Sequence, residues 1–160
     1  MRKQKGFSLI ELLIVVAIIL IIAAIAIPNL LRARIAAQES SAVGSTRTIV
    51  TAQISYNSAY PTVGFASALS NLGGTGCSTS VTSVNACLID QLLAGGTKSG
   101  YTFVSAATGG TTPTTGFYVY ANPVTQYTTG VRSFCAATDG VVRYGAATMS
   151  GCAGTETPLQ

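Results

Sequence analysis

Few side chains in this sequence could carry catalytic chemistry. The chain has 160 residues, no histidine and no tryptophan, and only 9% of its residues are charged. Its acidic residues are scattered along the chain: Glu11, Glu39, Asp90, Asp139 and Glu156. General acid–base catalysis uses a positioned histidine or a close pair of carboxyl groups, and a hard-cation site needs several oxygen ligands. The sequence therefore predicts no catalytic site, no metal site and no cofactor.

Glu11 has the most unusual surroundings of these acids. From Phe7 to Ile27 the only polar residues are Ser8 and Glu11. An ionisable side chain inside a bilayer costs about 2.5–3.5 kcal/mol on insertion scales, and such residues are usually paired. A membrane segment that carries Glu11 therefore requires a partner for it.

The apolar stretch around Glu11 is long enough to cross a membrane. A helix over residues 7–27 is about 31 Å long, which matches a hydrocarbon core of about 30 Å. Basic residues at the start of the chain predict a cytoplasmic N-terminus and translocation of everything after the segment. The alternative is a secretory signal peptide cleaved after Ala24 or Ala26, but the apolar region of such peptides is usually about 7–15 residues.

The stretch KGFSLIEL resembles the processing site of type IV prepilins. Basic residues are followed by Gly6, by Phe7 and, four residues later, by Glu11 at the head of an apolar helix. The similarity to type IV pilins and type II secretion pseudopilins extends over Lys5–Asn29. It implies that a prepilin peptidase removes the basic leader, residues 1–6, by cutting between Gly6 and Phe7, and that Phe7 is then N-methylated.

The resemblance also implies a partner for Glu11. In an assembled filament of this family, the amine of the first residue of an incoming subunit, here Phe7, meets the glutamate of a neighbour already in place. A buried charge is tolerated when it is paired, and removing one partner is costly. The alternative is that Glu11 neutralises the amine of its own chain.

The helical pattern continues beyond the membrane half, residues 7–28, into an amphipathic half, residues 29–58. Apolar residues recur every seven positions in this second half, at Ile35, Ala42, Ile49 and Tyr56. Pro28 lacks an amide hydrogen and its ring clashes with the preceding turn, so we expect a helix kink there. The pattern ends before Pro61, because the residue before a proline disfavours the α conformation.

The globular part, residues 59–160, contains all four cysteines. An even number of cysteines in a small translocated body predicts two disulfides, whereas a metal site would need clustered Cys or His ligands. Three connectivities are possible. We favour the local pairs Cys77–Cys87 and Cys135–Cys152.

The same part predicts two short helical segments followed by four strands. The strand signals lie at residues 101–104, 117–120, 133–138 and 141–144, and Asp139-Gly140 indicates a two-residue hairpin turn. We expect an α+β fold in which the long N-terminal helix packs on a roughly four-stranded antiparallel sheet. This layout resembles the pilin fold.

The resemblance implies a structural subunit, not an enzyme. Such a subunit is a single-pass protein of the bacterial inner membrane, surrounded by lipid before assembly. It then joins identical subunits in an extracellular type IV pilus, with the help of a membrane assembly platform and a separate ATPase. A periplasmic pseudopilus of type II secretion is the alternative, and a secreted binding domain is a second one.

Two further features bear on these alternatives. Major pseudopilins commonly bind calcium near the C-terminus through acidic residues, and this sequence offers no such cluster, which favours the pilus. Arg132 and Arg143 fall on facing strands but form no basic stripe, so no nucleic-acid partner is predicted.

Overall fold

A computed structural model describes residues 7–74, 81–146 and 148–159. The chain divides into two compact units, residues 1–34 and residues 35–160. Helix α1 (Leu9–Ala59) belongs to both units: residues 9–34 lie in the first unit and residues 35–59 in the second. The predicted long N-terminal helix is therefore confirmed.

Helix α1 ends where the sequence predicts. The amide of Tyr60 still donates to the carbonyl of Tyr56 at 2.9 Å, and Pro61 follows. Pro28 lies inside the helix, which continues without a break from Leu9 to Ala59. The kink at Pro28 stays a prediction.

The second unit has one hydrophobic core, to which α1 contributes the predicted stripe. Ala42 and Ile49 are fully buried and Tyr56 is 1% exposed, whereas Ile35 is half-buried. The helix packs against aromatic side chains of the sheet, among them Tyr101, Phe117 and Phe134. A period of seven residues keeps these α1 positions on one face, so that one side of the helix meets the sheet.

Within the described ranges the sheet has six antiparallel strands, and each strand lies beside the next one in chain order. They are β1 (Thr97–Lys98), β2 (Tyr101–Thr108), β3 (Gly116–Pro123), β4 (Ser133–Ala137), β5 (Arg143–Gly145) and β6 (Thr157–Pro158). The four predicted strands correspond to β2–β5. The two added strands, β1 and β6, are two-residue edge strands, too short to show an alternating apolar pattern.

The connection between β4 and β5 is longer than the predicted two-residue turn. Pairing stops at Cys135 and Arg143. The side chain of Asp139 accepts a hydrogen bond from the amide of Val141 at 3.1 Å and forms an ion pair with Arg143. Gly140 adopts a φ of 73°, in the left-handed region that glycine tolerates best. These local contacts of Asp139 stabilise a wider loop than sequence signals suggest.

Two short helices precede the sheet, as predicted: α2 (Leu69–Leu72) and α3 (Gln91–Ala94). Asp90 caps α3 by accepting a hydrogen bond from the amide of Leu93 at 3.0 Å. Both helices bury leucines in the common core.

The predicted disulfide Cys135–Cys152 is present and closes a separation of 17 residues. Cys87 is also disulfide-bonded. Cys77, its predicted partner, lies outside the described residues. Cys135 is fully buried in β4, so the bond ties the segment after β5 to the centre of the sheet.

Replacing both Cys135 and Cys152 by alanine should lower the free energy of unfolding by about 3 kcal/mol, the value that chain entropy gives for a loop of this length. Thermal unfolding of the full chain in detergent, followed by circular dichroism, measures the effect. Ser150→Ala in the same loop is the matched control and should leave the unfolding temperature unchanged. An equal unfolding temperature for the double variant and the control would contradict this contribution.

Candidate functional site

The described part of the first unit begins with Phe7 and the first turn of α1. The earliest helical hydrogen bond runs from the amide of Leu12 to the carbonyl of Ser8 at 3.2 Å. Glu11 lies in this first turn, where unpaired amide groups and the helix dipole favour a negative charge. Gly6, the predicted residue before the cleavage point, lies outside the described residues. The geometry therefore places Glu11 one turn from the predicted new N-terminus.

The apolar side chains of this unit are exposed. Phe7 is 77% exposed, and the large apolar side chains that follow, as far as Leu31, remain between 43% and 75% exposed. Among the described residues α1 is the one helix long and apolar enough to cross a membrane, with a mean hydropathy of 3.3 over 18 residues and none of that window buried. Such a surface in water is a binding surface for lipid or for other protein.

Glu11 is exposed together with its apolar neighbours. It makes no ion pair among residues 7–74, 81–146 and 148–159, the part of the chain that the structure describes. If other protein chains cover the apolar surface, the carboxylate loses water as well. The partner predicted for it therefore has to come from the N-terminal amine or from outside the chain.

A second polar cluster, in the globular unit, was not recognised in the sequence. Glu39 on α1 is 7% exposed. Its Oε1 accepts hydrogen bonds from the amides of Val131 and Arg132 at 2.9 and 3.1 Å. Its Oε2 accepts from Nε and Nη2 of Arg132 at 2.9 and 2.7 Å. This clamp fixes the loop before β4 to the helix.

The same clamp determines the ionisation of Glu39. Burial alone would raise the pKa of Glu39, but hydrogen bonds from Val131 and Arg132, together with the arginine charge, lower it below its usual value. The guanidinium also lies 5.6 Å from the ring centre of Phe134 and 5.4 Å from that of Tyr144. Arg132 is therefore a structural residue that is already engaged.

Gln53 is a second buried polar residue of α1. Its Nε2 donates to the carbonyl of Ala66 at 3.1 Å and to Oγ of Ser105 at 2.9 Å, and its Oε1 accepts from the amide of Ala66 at 2.9 Å. A sequence signal for both buried groups exists. Glu39, Thr46 and Gln53 recur every seven residues beside the apolar stripe, and all three are buried.

In the part of the chain that the structure describes, one group of Cys and Glu side chains lies close enough together to resemble a metal site, but its sulfurs are not available as ligands. Ligand atoms of Cys135, Cys152 and Glu156 lie within 4.8 Å of one another, but the two sulfurs are bonded to each other and provide no thiolate ligand. The carboxylate of Glu156 accepts hydrogen bonds from the amides of Ala153 and Gly154 at 3.1 and 2.9 Å. These groups stabilise the C-terminal loop.

Comparison with known proteins adds to this geometry. Residues 1–27 match the family described as "Prokaryotic N-terminal methylation motif". The type IV wide pilus major component PilA4 of Thermus thermophilus is 74% identical over 34 residues, which are 21% of this chain and 26% of that protein. The type IV major pilin protein PilA of Myxococcus xanthus is 48% identical over 54 residues, 34% of this chain and 24% of that protein. No solved structure matches the chain.

The match to the methylation motif covers the start of α1 and much of its exposed apolar part, and an α+β body follows in the chain. Over the matched residues the chain is therefore similar to proteins named as type IV pilus components. The matched regions are at most about a third of this chain, and they span about a quarter of each relative.

Proposed function

We propose that the chain is a structural subunit that polymerises into a type IV pilus through its N-terminal apolar helix. The observation that carries the proposal is the exposed apolar surface of residues 7–31, which overlaps the methylation motif at residues 1–27 and is interrupted by Glu11 in the first helical turn. The relatives, named as pilus components, favour a pilus over a secretion pseudopilus. The role is structural and not enzymatic.

Before assembly the segment lies in the inner membrane with residues 1–6 on the cytoplasmic side. A prepilin peptidase cuts between Gly6 and Phe7 and creates a cationic amine at Phe7. In the filament the apolar helices pack against one another, since each buried Å² of apolar surface contributes about 25 cal/mol relative to water. The assembly platform and its ATPase supply the energy that moves the subunit out of the membrane.

Glu11 provides the specificity of this packing. In the low-dielectric filament core its carboxylate requires a cation, and the amine of Phe7 on an adjacent subunit provides one. A helix that docks at another height leaves both charges unpaired. The pair therefore sets the register between subunits, in addition to any contact between Glu11 and the amine of its own chain.

The proposed processing predicts that the mature chain begins at Phe7 and retains the whole apolar segment. N-terminal sequencing and mass spectrometry of protein co-expressed with a prepilin peptidase should find a methylated Phe7. Gly6→Ala should be cleaved better than Gly6→Leu, because the peptidase must accommodate the backbone at the cut. A mature chain that begins at Ile25 or Ile27, after cleavage at Ala24 or Ala26, would instead support a secreted domain.

A further inference from the structure

Two arginines follow the apolar segment directly. Arg32 and Arg34 lie on α1 immediately after Leu31, and both are exposed. Among the described residues neither guanidinium pairs with a carboxylate. Because the two guanidinium groups are unpaired and lie next to a segment proposed to cross a membrane, they indicate an anionic partner at the far surface of that membrane.

The spacing along α1 relates these arginines to Glu11. From Glu11 to Arg32 the helix rises about 31 Å at 1.5 Å per residue, and to Arg34 about 3 Å more. The hydrocarbon core is about 30 Å thick, and the headgroups extend it to about 40–45 Å in total. If Arg32 lies at one surface of the core, Glu11 lies at the opposite surface, in contact with water. The apolar segment then crosses the membrane without burying its carboxylate.

Arginine has the chemistry to hold this position. Its planar guanidinium donates two parallel hydrogen bonds to a phosphate group, and its aliphatic stem can lie along apolar surface while the charge reaches the headgroups. Trp and Tyr, the usual interfacial anchors, are not available here, because the chain has no tryptophan and its first tyrosine is Tyr56. Arg32 and Arg34 are therefore the charged anchors nearest to this end of the segment.

A carboxylate of another subunit is a less suitable partner. Four of the five acidic residues are already engaged: Glu39 by Arg132, Asp90 by Lys98, Asp139 by Arg143, and Glu156 by backbone amides. Glu11 is the fifth acid, and the proposed function assigns it to the amine of Phe7. A lipid phosphate satisfies the two arginines without competing for any of these groups.

We propose that Arg32 and Arg34 bind phospholipid phosphate groups on the far side of the membrane and set the depth of the apolar segment, so that Glu11 stays at the near surface until assembly. This proposal rests on the membrane insertion assumed in the proposed function. Before cleavage, Arg2, Lys3 and Lys5 outnumber the two arginines, which agrees with the positive-inside rule. After cleavage, Arg32 and Arg34 are the basic anchors that remain in residues 7–34.

The absence of tryptophan makes the depth directly measurable. Leu13→Trp introduces a single tryptophan two residues after Glu11. The full chain is reconstituted in vesicles of phosphatidylethanolamine and phosphatidylglycerol, and lipids brominated at two depths report the position of the indole. The double variant Arg32→Leu/Arg34→Leu lacks the proposed anchor. Its helix should slide toward the near side of the membrane, because hydration of the Glu11 carboxylate is then no longer opposed by the arginines. The expected shift of Trp fluorescence quenching corresponds to about one helical turn, about 5 Å.

Two comparisons test whether the lipid phosphate itself holds the arginines. Arg32→Lys/Arg34→Lys keeps the charge and should hold the depth, and Arg47→Gln, an exposed arginine of the globular unit, should not change it. In vesicles of a phosphate-free galactolipid, the chain with intact arginines should show the depth of the leucine variant. Equal depths in both lipids, or no shift in the leucine variant, would overturn the proposal.

Two further outcomes are also decisive. Unchanged depth together with loss of filaments in Arg32→Leu/Arg34→Leu would overturn the lipid assignment in favour of a carboxylate on another subunit. The depth assay needs neither cleavage nor polymerisation. Release of the wild-type chain from vesicles by alkaline carbonate would contradict membrane insertion itself, and with it the proposed function.

Discussion

Glu11→Ala should abolish filaments and leave the chain in the membrane and correctly cleaved. Without the carboxylate, each Phe7 amine enters the apolar filament core unpaired, at a cost of about 3–5 kcal/mol, which is more than a hundredfold in each subunit addition. Insertion does not depend on Glu11, because the apolar stretch becomes more hydrophobic without it. The measurement is an immunoblot of the sheared surface fraction against the membrane fraction, in a host that carries the assembly machinery.

Three further variants sharpen this test. Glu11→Gln keeps the shape but not the charge and should fail as Glu11→Ala does, whereas Glu11→Asp keeps the charge on a shorter side chain and should assemble in part. Ser8→Ala, in the same stretch, is the matched control and should assemble normally. Wild-type amounts of filament from Glu11→Ala would show that the charge pair does not drive assembly.

Glu39→Ala should destabilise the globular unit by about 3 kcal/mol. The substitution leaves two backbone amides and the Arg132 guanidinium without their acceptor. This loss of stability lies at the lower end of the range of about 3–5 kcal/mol for breaking a buried ion pair, because the side chain of Arg132 is 44% exposed. Thermal unfolding of the full chain in detergent measures it. Asp139→Ala breaks a pair whose carboxylate is 46% exposed and should cost under about 1 kcal/mol.

The pH dependence gives the same prediction a second readout. The pKa of Glu39 is lowered in the folded chain, so its stabilisation is complete above the ordinary glutamate pKa of about 4.3 and is lost as the pH falls through the folded value. Glu39→Gln should therefore show a weaker loss of stability on acidification than the wild type. Parallel curves for the two proteins, or equal effects of Glu39→Ala and Asp139→Ala, would contradict the role of the clamp.

The parts of this protein that sequence predicts well are those with local signals. The processing motif and the apolar segment are contiguous, and β2–β5 carry β-branched or aromatic residues. The contacts of Glu39 and Gln53 were missed because their partners are up to 93 residues away and because buried polar residues interrupt an apolar stripe. Strands β1 and β6 were missed because a strand of two residues shows no alternating pattern. Each of them forms only because its backbone pairs with the neighbouring strand, β2 or β5.

Strand order has a consequence for how the domain would mature during the proposed translocation. Because each strand of the sheet pairs with the one before it in the chain, a hairpin can close as soon as its second strand has crossed the membrane. Contacts that are near in sequence form quickly, and the growing edge is covered at each step. Among the described strands β6 comes last in the chain, so it joins the edge of β5 after Cys152 has come within reach of Cys135. The topology therefore suits the vectorial folding that the proposed translocation implies.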